Sequence, residues 1–152
     1  MTAKVHKKSL ERIVYDPEEV KVSVVKTAEE YQMAAAVRAM CFVGEQGLPY
    51  HKIFDENDHI ATHFLSTVRG EPVGTMRIRF FNGFAKIERS CVRQDYRSTE
   101  LLLKANEYMI DYVSQKGYTK VTTSAHKSAA RLWRILGFRP LTNEPFTVGF
   151  HD

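Results

Sequence analysis

The stretch from residue 85 to residue 113, AKIERSCVRQDYRSTELLLKANEYMIDYV, constrains the fold of this chain more than any other part. Its first part, through Val92, has the character of a β-strand, and a charged turn follows from Arg93 to Arg97. Apolar residues then recur at three- and four-residue steps, which predicts an amphipathic helix; they are Leu102, Ala105, Met109 and Val113. Ser98 or Thr99 is expected to cap this helix and Gly117 to end it. A strand, a basic turn and a helix are therefore expected in direct succession.

A strand that leads into a helix N-terminus flanked by arginines is suited to hold an anion. The first amide N–H groups of a helix lack partners within it, the helix dipole is positive there, and guanidinium groups add charge-assisted hydrogen bonds. Many helices also begin after a basic turn and bind only water. Spacing alone therefore leaves an anion site and a purely structural turn both open.

The remaining pattern predicts an α/β chain with a mixed sheet flanked by helices. Strands are expected at residues 20–27, 60–69, 73–81, 84–92, 118–124 and 146–150, and helices at about 27–42, 99–116 and 128–136. Thr27 followed by Glu30 is a capping-box pattern, and Asn82-Gly83 is a strong hairpin signal. The connection from residue 44 to residue 59 is long for a compact domain, which favours a role in lining a substrate site.

The length of 152 residues suits one domain, expected at residues 18–152, preceded by an arm at residues 1–17. The arm contains a short LERIVY segment that would suit an extra strand, and it could contact a second copy of the chain in a homodimer. No apolar run is long enough for a membrane span and the N-terminus is polar, so a cytoplasmic protein without membrane contact is expected.

The charge pattern favours an anionic small ligand over nucleic acid. The net charge is +4, but apart from a cluster near the N-terminus the lysines and arginines are scattered. The two cysteines, Cys41 and Cys91, have neither a metal-binding nor a disulfide spacing, and each is expected to be a buried structural thiol.

Three segments resemble the GNAT superfamily of acyl-CoA-dependent N-acyltransferases. The run AKIERSCVRQDYRS resembles the family's acyl-CoA-binding strand and turn. Residues 42–64, FVGEQGLPYHKIFDENDHIATHF, resemble the FVxEQG…DxxDxxAxH segment of one bacterial branch, and residues 129–138, AARLWRILGF, resemble the family's closing helix. Three motifs in the right order are far more specific than one.

The resemblance implies a central mixed sheet of six to seven strands with a splayed strand pair. It also implies acetyl-CoA or another acyl-CoA as co-substrate, and transfer of the acyl group to an amine on a small molecule or a protein. The co-substrate would be held by the residues that match the strand, turn and helix start; these are Cys91, Val92, Arg93, Arg97, Ser98, Thr99, Glu100, Leu101 and Leu102.

The chain departs from the family's pattern at three positions. Glu100 and Leu102 stand where the family has small residues that let backbone amides approach the pyrophosphate. Trp133 stands where the family has the tyrosine that protonates the leaving thiolate, and an indole N–H does not titrate in a useful range. These departures leave open a catalytically impaired GNAT-like module that binds CoA or has a regulatory role.

Glu88 and His126 are the candidates for catalysis implied by the resemblance. Glu88 lies one strand step from the expected thioester and could accept the amine's proton directly or through water, although a salt bridge with Arg77 or Arg89 would also explain it. His126 could replace the missing acid because imidazole titrates near neutrality, although an ordinary loop histidine would look the same.

The acceptor is expected near the densest polar cluster of the sequence, which consists of Asp55, Glu56, Asp58, His59 and His63. The two histidines straddle a loop and a strand, so no metal site is expected. Carboxylates there could receive an amine, whereas arginines could receive an acceptor's carboxylate, and a solvated acidic loop would show the same composition. The candidate substrate-binding residues are Arg38, Phe42, Glu45, Asp55 and Arg77.

A second enzyme class stays open beside the first. Residues Arg38, Phe42, Asp55, Asp58, Arg77 and Glu88 loosely follow the charged pattern of acyl-homoserine-lactone synthases, which have a related fold and use longer acyl chains. The tryptophan-bearing N-terminal segment typical of those synthases has no counterpart here, so this alternative ranks below acyl transfer to an amine.

Overall fold

The computed structural model describes residues 10–141, and within them five strands form one sheet. The strands are β1 (Val20–Val24), β2 (Thr62–Val68), β3 (Glu71–Phe81), β4 (Phe84–Val92) and β5 (Val121–Thr123). Their order in space follows the chain, with antiparallel pairs from β1 to β4 and a parallel pair between β4 and β5. The helices are α1 (Ala28–Arg38), α2 (Tyr50–Ile53), α3 (Thr99–Gln115) and α4 (Ala130–Ile135). The mixed sheet flanked by helices is thus confirmed.

Two predictions about the strand count differ from the structure or lie outside it. Residues 10–15 form no strand, because the Ile13 amide donates to the Asp95 carbonyl (2.8 Å) and the Tyr15 hydroxyl donates to the Tyr96 carbonyl. The described part of the arm therefore packs on the turn before α3, and residues 10–15 do not extend the sheet. The strand expected at residues 146–150 lies outside the described residues. No helix among residues 10–141 is both long and apolar enough to cross a bilayer.

The β3–β4 hairpin forms at the expected turn. Phe81 and Phe84 are the last paired residues, and only Asn82 and Gly83 lie between them. Gly83 has a φ of 87°, a conformation that a residue without a Cβ adopts readily. The hairpin places β4 beside β3 along most of its length.

Helix α1 continues into a wider, π-helical segment at Ala39–Glu45. The Thr27 side chain caps α1 by accepting from the Glu30 amide at 3.1 Å, as its pattern predicts. Insertions of π-helix are rare and often occur at functional sites. This one carries the buried Cys41 and ends at Glu45, which pairs with Arg97 at 2.8 Å.

Helix α3 begins at the N-cap Ser98, whose hydroxyl accepts from the Leu101 amide at 3.1 Å. Its buried face consists of Leu101, Ala105, Met109 and Val113. Leu101, and not the expected Leu102, begins this face, since Leu101 is fully buried beside Val68, Val73 and Val92. Leu102 is only partly buried.

Strands β4 and β5 separate after a short paired stretch. Their pairing comprises Ala85 with Val121, Lys86 with Thr122 and Ile87 with Thr123, after which β5 ends while β4 continues to Val92. The β3–β4 register shifts beyond Arg77, so that two residues of β4 face one of β3, and Arg89 has a φ of 52°. The expected splayed pair is therefore present, with a bulge in β4 where the gap begins.

We expect Leu101→Ala to lower the free energy of unfolding by about 2 to 5 kcal/mol, because it leaves a cavity in a fully enclosed cluster. Urea denaturation measures this difference. The matched control is Leu103→Ala two residues away, where the side chain is 36% exposed and a change below about 0.5 kcal/mol is expected. Equal losses in the two variants would contradict the packing described for α3.

Candidate functional site

A cavity of about 200 Å³ lies beside the part of β4 that extends beyond its pairing with β5. Its walls come from the π-helical segment, from β4, from the start of α3 and from α4; the residues include Cys41, Glu45, Cys91, Val92, Arg97, Leu102, Leu132 and Trp133. The cavity thus opens where β4 no longer pairs with β5, and a residue of β3, Met76, joins these four parts of the chain at it. Such a mostly apolar cleft with a few polar groups is typical of a ligand site.

Arg97 contacts the edge of β4 beside this cavity at one carbonyl. The Arg97 guanidinium donates to the Val92 carbonyl at 2.8 Å and forms a two-pronged ion pair with Glu45, at 3.0 and 2.8 Å. The pair is partly exposed, with 39% of the Arg97 side chain accessible. Arg97 therefore links the π-helical segment to β4, and it is close enough to solvent to change partners.

The other residues predicted to hold an acyl-CoA differ in their surroundings. Arg93 is engaged by Glu71 (2.6 Å) and Asp95 (2.9 Å), and it stacks on the Tyr96 ring. Its guanidinium thus connects the start of β3 to the segment before α3. Arg97 is the more accessible of the two arginines, since 17% of the Arg93 side chain is exposed.

At the start of α3, the side chains of residues 98–102 differ in their exposure and in their contacts. Ser98 caps the helix, Thr99 and Glu100 are exposed, and Leu102 lines the cavity. Glu100 lies in the first turn, where its negative charge interacts favourably with the helix dipole. A phosphate bound at this helix start would be repelled by the negative charge of Glu100.

On the face of the sheet that carries Glu88, the fully buried Arg77 contacts three carboxylates. Its guanidinium lies 2.7 Å from Asp55, 2.9 Å from Asp58 and 2.6 Å from Glu88. Only 1% of the Arg77 side chain is exposed. A charge this deeply buried is stable only with such partners, and its position does not allow direct contact with a substrate from solvent.

Arg38 extends the same network from α1. It pairs with Asp58 at 2.7 Å and donates to His63 Nδ1 at 3.3 Å, while His63 Nε2 donates to the Asp58 carbonyl. Burial lowers the pKa of His63, and the neighbouring Arg38 charge lowers it further. His63 is therefore neutral and structural. Arg38 is as buried as Arg77.

Glu88 is held by two arginines that lie two residues apart on β3. Arg77 and Arg79 each approach a carboxylate oxygen of Glu88 at 2.6 Å, and Lys86 lies at 3.4 Å. Burial alone would raise the pKa of Glu88, but the hydrogen bonds from Arg79 and Arg77 outweigh it and hold the pKa at about 2. The carboxylate is consequently ionised at neutral pH and has a low affinity for a proton.

His126 and Trp133 lie in different surroundings. His126 is exposed, and its Nδ1 accepts from the Ser128 amide, which caps the short turn before α4. Trp133 is a wall residue of the cavity and packs edge-on against Phe138, with ring centroids 5.0 Å apart. Trp133 is therefore a wall residue of the cavity, and His126 is not among the described residues that line it.

The central position of Asp58 is not apparent from the sequence alone. Asp55 caps the turn Glu56–His59, and this turn directs both aspartates towards Arg77. Tyr31 adds a hydrogen bond to Asp58 at 2.9 Å. The D-x-x-D spacing was visible, but its partners come from α1, β3 and β4 and cannot be read from a local pattern. Phe42, another candidate, is partly buried in the π-helical segment.

Comparisons with known proteins agree with one another. The profile described as the Acetyltransferase (GNAT) family matches residues 27–138. A Bacillus subtilis (strain 168) protein classed as an acetyltransferase is 29% identical over 126 residues, which cover 81% of this chain and 86% of that protein. The uncharacterised N-acetyltransferase YjcF of the same strain is 28% identical over 130 residues, covering 84% and 91%. A crystal structure of a Lactobacillus plantarum protein classed as an N-acetyltransferase superposes with a TM-score of 0.73 at 23% identity, covering 85% and 90%.

We expect Glu88→Gln to destabilise the protein at pH 7 and to make its free energy of unfolding depend less on pH in acid. The folded-state pKa of Glu88 is about 2 against an ordinary value of 4.5, so the stabilisation is complete above pH 4.5 and is lost as the pH falls towards 2. That shift in pKa corresponds to a contribution to the free energy of unfolding on the order of 3 kcal/mol.

Urea denaturation between pH 7 and pH 2 measures the effect. The matched control is Glu107→Gln at an exposed position of α3, which is expected to follow the unmodified protein. A Glu88→Gln variant that loses stability with acid as steeply as the unmodified protein would contradict the ion pairs described here.

Proposed function

Since the chain belongs to the acetyltransferase (GNAT) family, we propose where on this molecule acetyl-CoA and the amine acceptor bind. The chain is an acyl-CoA-dependent acetyltransferase, and acetyl-CoA is the co-substrate of this family. The observation that carries the proposal is the cavity that opens where β4 leaves β5. The relatives favour neither a lactone synthase nor a module without activity.

The pantetheine arm is placed along the open edge of β4, at Cys91, Val92 and Arg93. An unpaired strand edge offers main-chain donors and acceptors to any extended chain that carries amides. The Val92 carbonyl supports this position, because it already accepts a hydrogen bond from Arg97 on the side facing the gap. The thioester then lies between β4 and the apolar wall formed by Leu132 and Trp133.

The diphosphate is placed at the start of α3, on Arg97 and the backbone of residues 98–102. Arg97 is suited to this role because a guanidinium binds phosphate with the same two-pronged geometry that it now uses with Glu45. Glu100 is exposed and can turn towards solvent when the phosphates bind. Arg93 contributes mainly by keeping the segment before the helix in place.

Glu88 is assigned an electrostatic role beside the reacting amine. Its position supports this, since it is the first residue of β4 beyond the last β4–β5 pair. Its pKa of about 2 argues against direct proton abstraction, because such a carboxylate is a weak base. The amine is therefore taken up neutral or loses its proton to water near Glu88.

The leaving thiolate has a moderate pKa and departs without a dedicated acid, so His126 is at most an accessory group.

The acceptor is proposed to carry a carboxylate near its amine, as an amino acid or a peptide does. The network around Glu88 contains the cations Arg38, Arg77, Arg79, Lys86 and Arg89 against the anions Asp55, Asp58 and Glu88. Arg38 and Arg77 are enclosed, whereas 21% of Arg79 and 33% of Lys86 are exposed. These two side chains give the acceptor side a positive surface.

We expect acetyl transfer to amino acids and peptides to exceed transfer to polyamines or aminoglycosides. The measurement is CoA release, separated by chromatography, together with the mass of the acetylated product. Acetyl-CoA should also raise the melting temperature, by an amount that grows with its concentration. Faster transfer to polycations would contradict the proposed acceptor, and the absence of a melting shift at millimolar acetyl-CoA would contradict the proposed cleft.

We expect Arg97→Ala and Glu45→Gln to change acetyl-CoA affinity in opposite directions. Arg97→Ala removes hydrogen bonds to charged oxygens, which are worth about 1.5 to 3 kcal/mol, so affinity should fall about 10- to 100-fold. Glu45→Gln releases Arg97 from a partly exposed pair worth about 0 to 1 kcal/mol, so affinity should rise up to about fivefold.

Isothermal titration with acetyl-CoA separates these effects. The control is Arg69→Ala, which removes an exposed arginine that pairs with Glu19 at the β2–β3 turn and should leave affinity unchanged. If Arg97→Ala keeps full affinity, the diphosphate does not bind at this arginine.

A further inference from the structure

The only two cysteines of the chain both line the cavity beside the unpaired part of β4. Cys41 comes from the π-helical segment and is 1% exposed, whereas Cys91 belongs to β4 and is partly buried. They are 50 positions apart in sequence, so only the fold brings them together. Both residues line the cavity, and each thiol is close enough to shift the pKa of the other.

The two thiols are chemically unlike. The hydrogen bond from Cys91 lowers the pKa of Cys41 against the opposing effect of burial, and the nearby charges of Arg97 and Arg93 lower it further. Burial and the neighbouring Cys41 raise the pKa of Cys91. A thiolate is the form that reacts with oxidants, so Cys41 is the nucleophile and Cys91 the neutral partner.

We propose that Cys41 and Cys91 are an oxidisable dithiol that a hydroperoxide converts reversibly to a disulfide, and that this bond closes the acetyl-CoA cavity. The second part rests on the function proposed above. A hydroperoxide is small enough to enter a cavity of about 200 Å³, which gives it access to Cys41 although that residue is otherwise buried.

The reaction proceeds in two balanced steps. The Cys41 thiolate attacks the distal oxygen of the hydroperoxide, the O–O bond breaks, and a sulfenic acid and an alcohol or water result once the leaving oxygen takes a proton. The Cys91 sulfur then attacks the Cys41 sulfur, an S–S bond forms, and hydroxide leaves with the Cys91 proton as water. The two thiols lose two electrons in total and the peroxide gains them. A dithiol reductant reverses the change.

Closure follows from the positions of the two residues. Cys41 lies on one wall of the cavity, and Cys91 precedes Val92 on the strand edge assigned to pantetheine. Both thiols are free, and an S–S bond of about 2.05 Å is shorter than any non-bonded separation of two sulfur atoms, so its formation draws these walls together. The gap that would accept the pantetheine arm is thereby narrowed at its centre.

Intact mass spectrometry under non-reducing, denaturing conditions tests the dithiol. After peroxide treatment, the unmodified protein should lose the mass of two hydrogen atoms and remain a single chain, and a dithiol reductant should restore the original mass. Cys91→Ser should instead accumulate a sulfenic acid on Cys41 that a cyclic dione traps, and Cys41→Ser should react far more slowly. A disulfide between two chains, or equal reactivity of the two variants, would overturn the assignment.

The melting shift with acetyl-CoA, measured on reduced, oxidised and re-reduced protein, tests the closure. We expect oxidation to weaken acetyl-CoA binding at least about tenfold and reduction to restore it, while Cys41→Ser, compared with its own untreated form, is insensitive to peroxide. Unchanged binding after complete disulfide formation would overturn the closure. If the reduced protein binds no acetyl-CoA, the proposed function and the closure fail together, whereas the mass measurement still decides the dithiol.

Discussion

The ion pairs around Arg77 are the interaction on which the rest of the site depends. A guanidinium that is 99% enclosed cannot lose its charge, so its transfer from water must be offset by carboxylates at hydrogen-bond distance. Asp55 and Asp58 come from the segment between α2 and β2, and Glu88 comes from β4. One residue of β3 thus fixes a long connection to the sheet. Removing one partner of such a pair typically costs about 3 to 5 kcal/mol, because an uncompensated charge stays behind.

This network also determines where the cavity forms. Arg38 contacts Asp58 from the last turn of α1, and the π-helical segment with Cys41 and Glu45 follows immediately. On β4, Glu88 belongs to the network and the bulge at Arg89 comes next. Arg89 has a left-handed backbone conformation, and its side chain donates to the carbonyls of Lys52 and Ile53 at the end of α2. The network therefore holds both walls of the gap, one on each side of the point where β4 leaves β5.

Local patterns predicted the elements well and the site only in part. Thr27, Ser98 and Asn82-Gly83 were readable because caps and tight turns depend on a few adjacent residues. The LERIVY segment suits an extra strand by its composition, but its hydrogen-bond partners, Asp95 and Tyr96, lie more than 80 residues away and cannot be read from a local pattern. The same limit applies to Glu88, for which the sequence is compatible with either a catalytic base or a salt-bridged carboxylate. Only the fold shows that Arg77 and Arg79 lie beside it on one face of β3.

The start of α3 shows why a degenerate phosphate loop is compatible with the family's chemistry. Before any ligand binds, Ser98 caps the helix, Glu100 faces the helix dipole and Arg97 pairs with Glu45. An incoming diphosphate would replace Glu45 as the anionic partner of Arg97, so the net gain at this end of the ligand is reduced by the free energy of the pair that breaks. The open edge of β4 and the apolar wall at Trp133 involve no such exchange of anions. Affinity in this chain is therefore expected to come more from the pantetheine and acyl groups than from the phosphates.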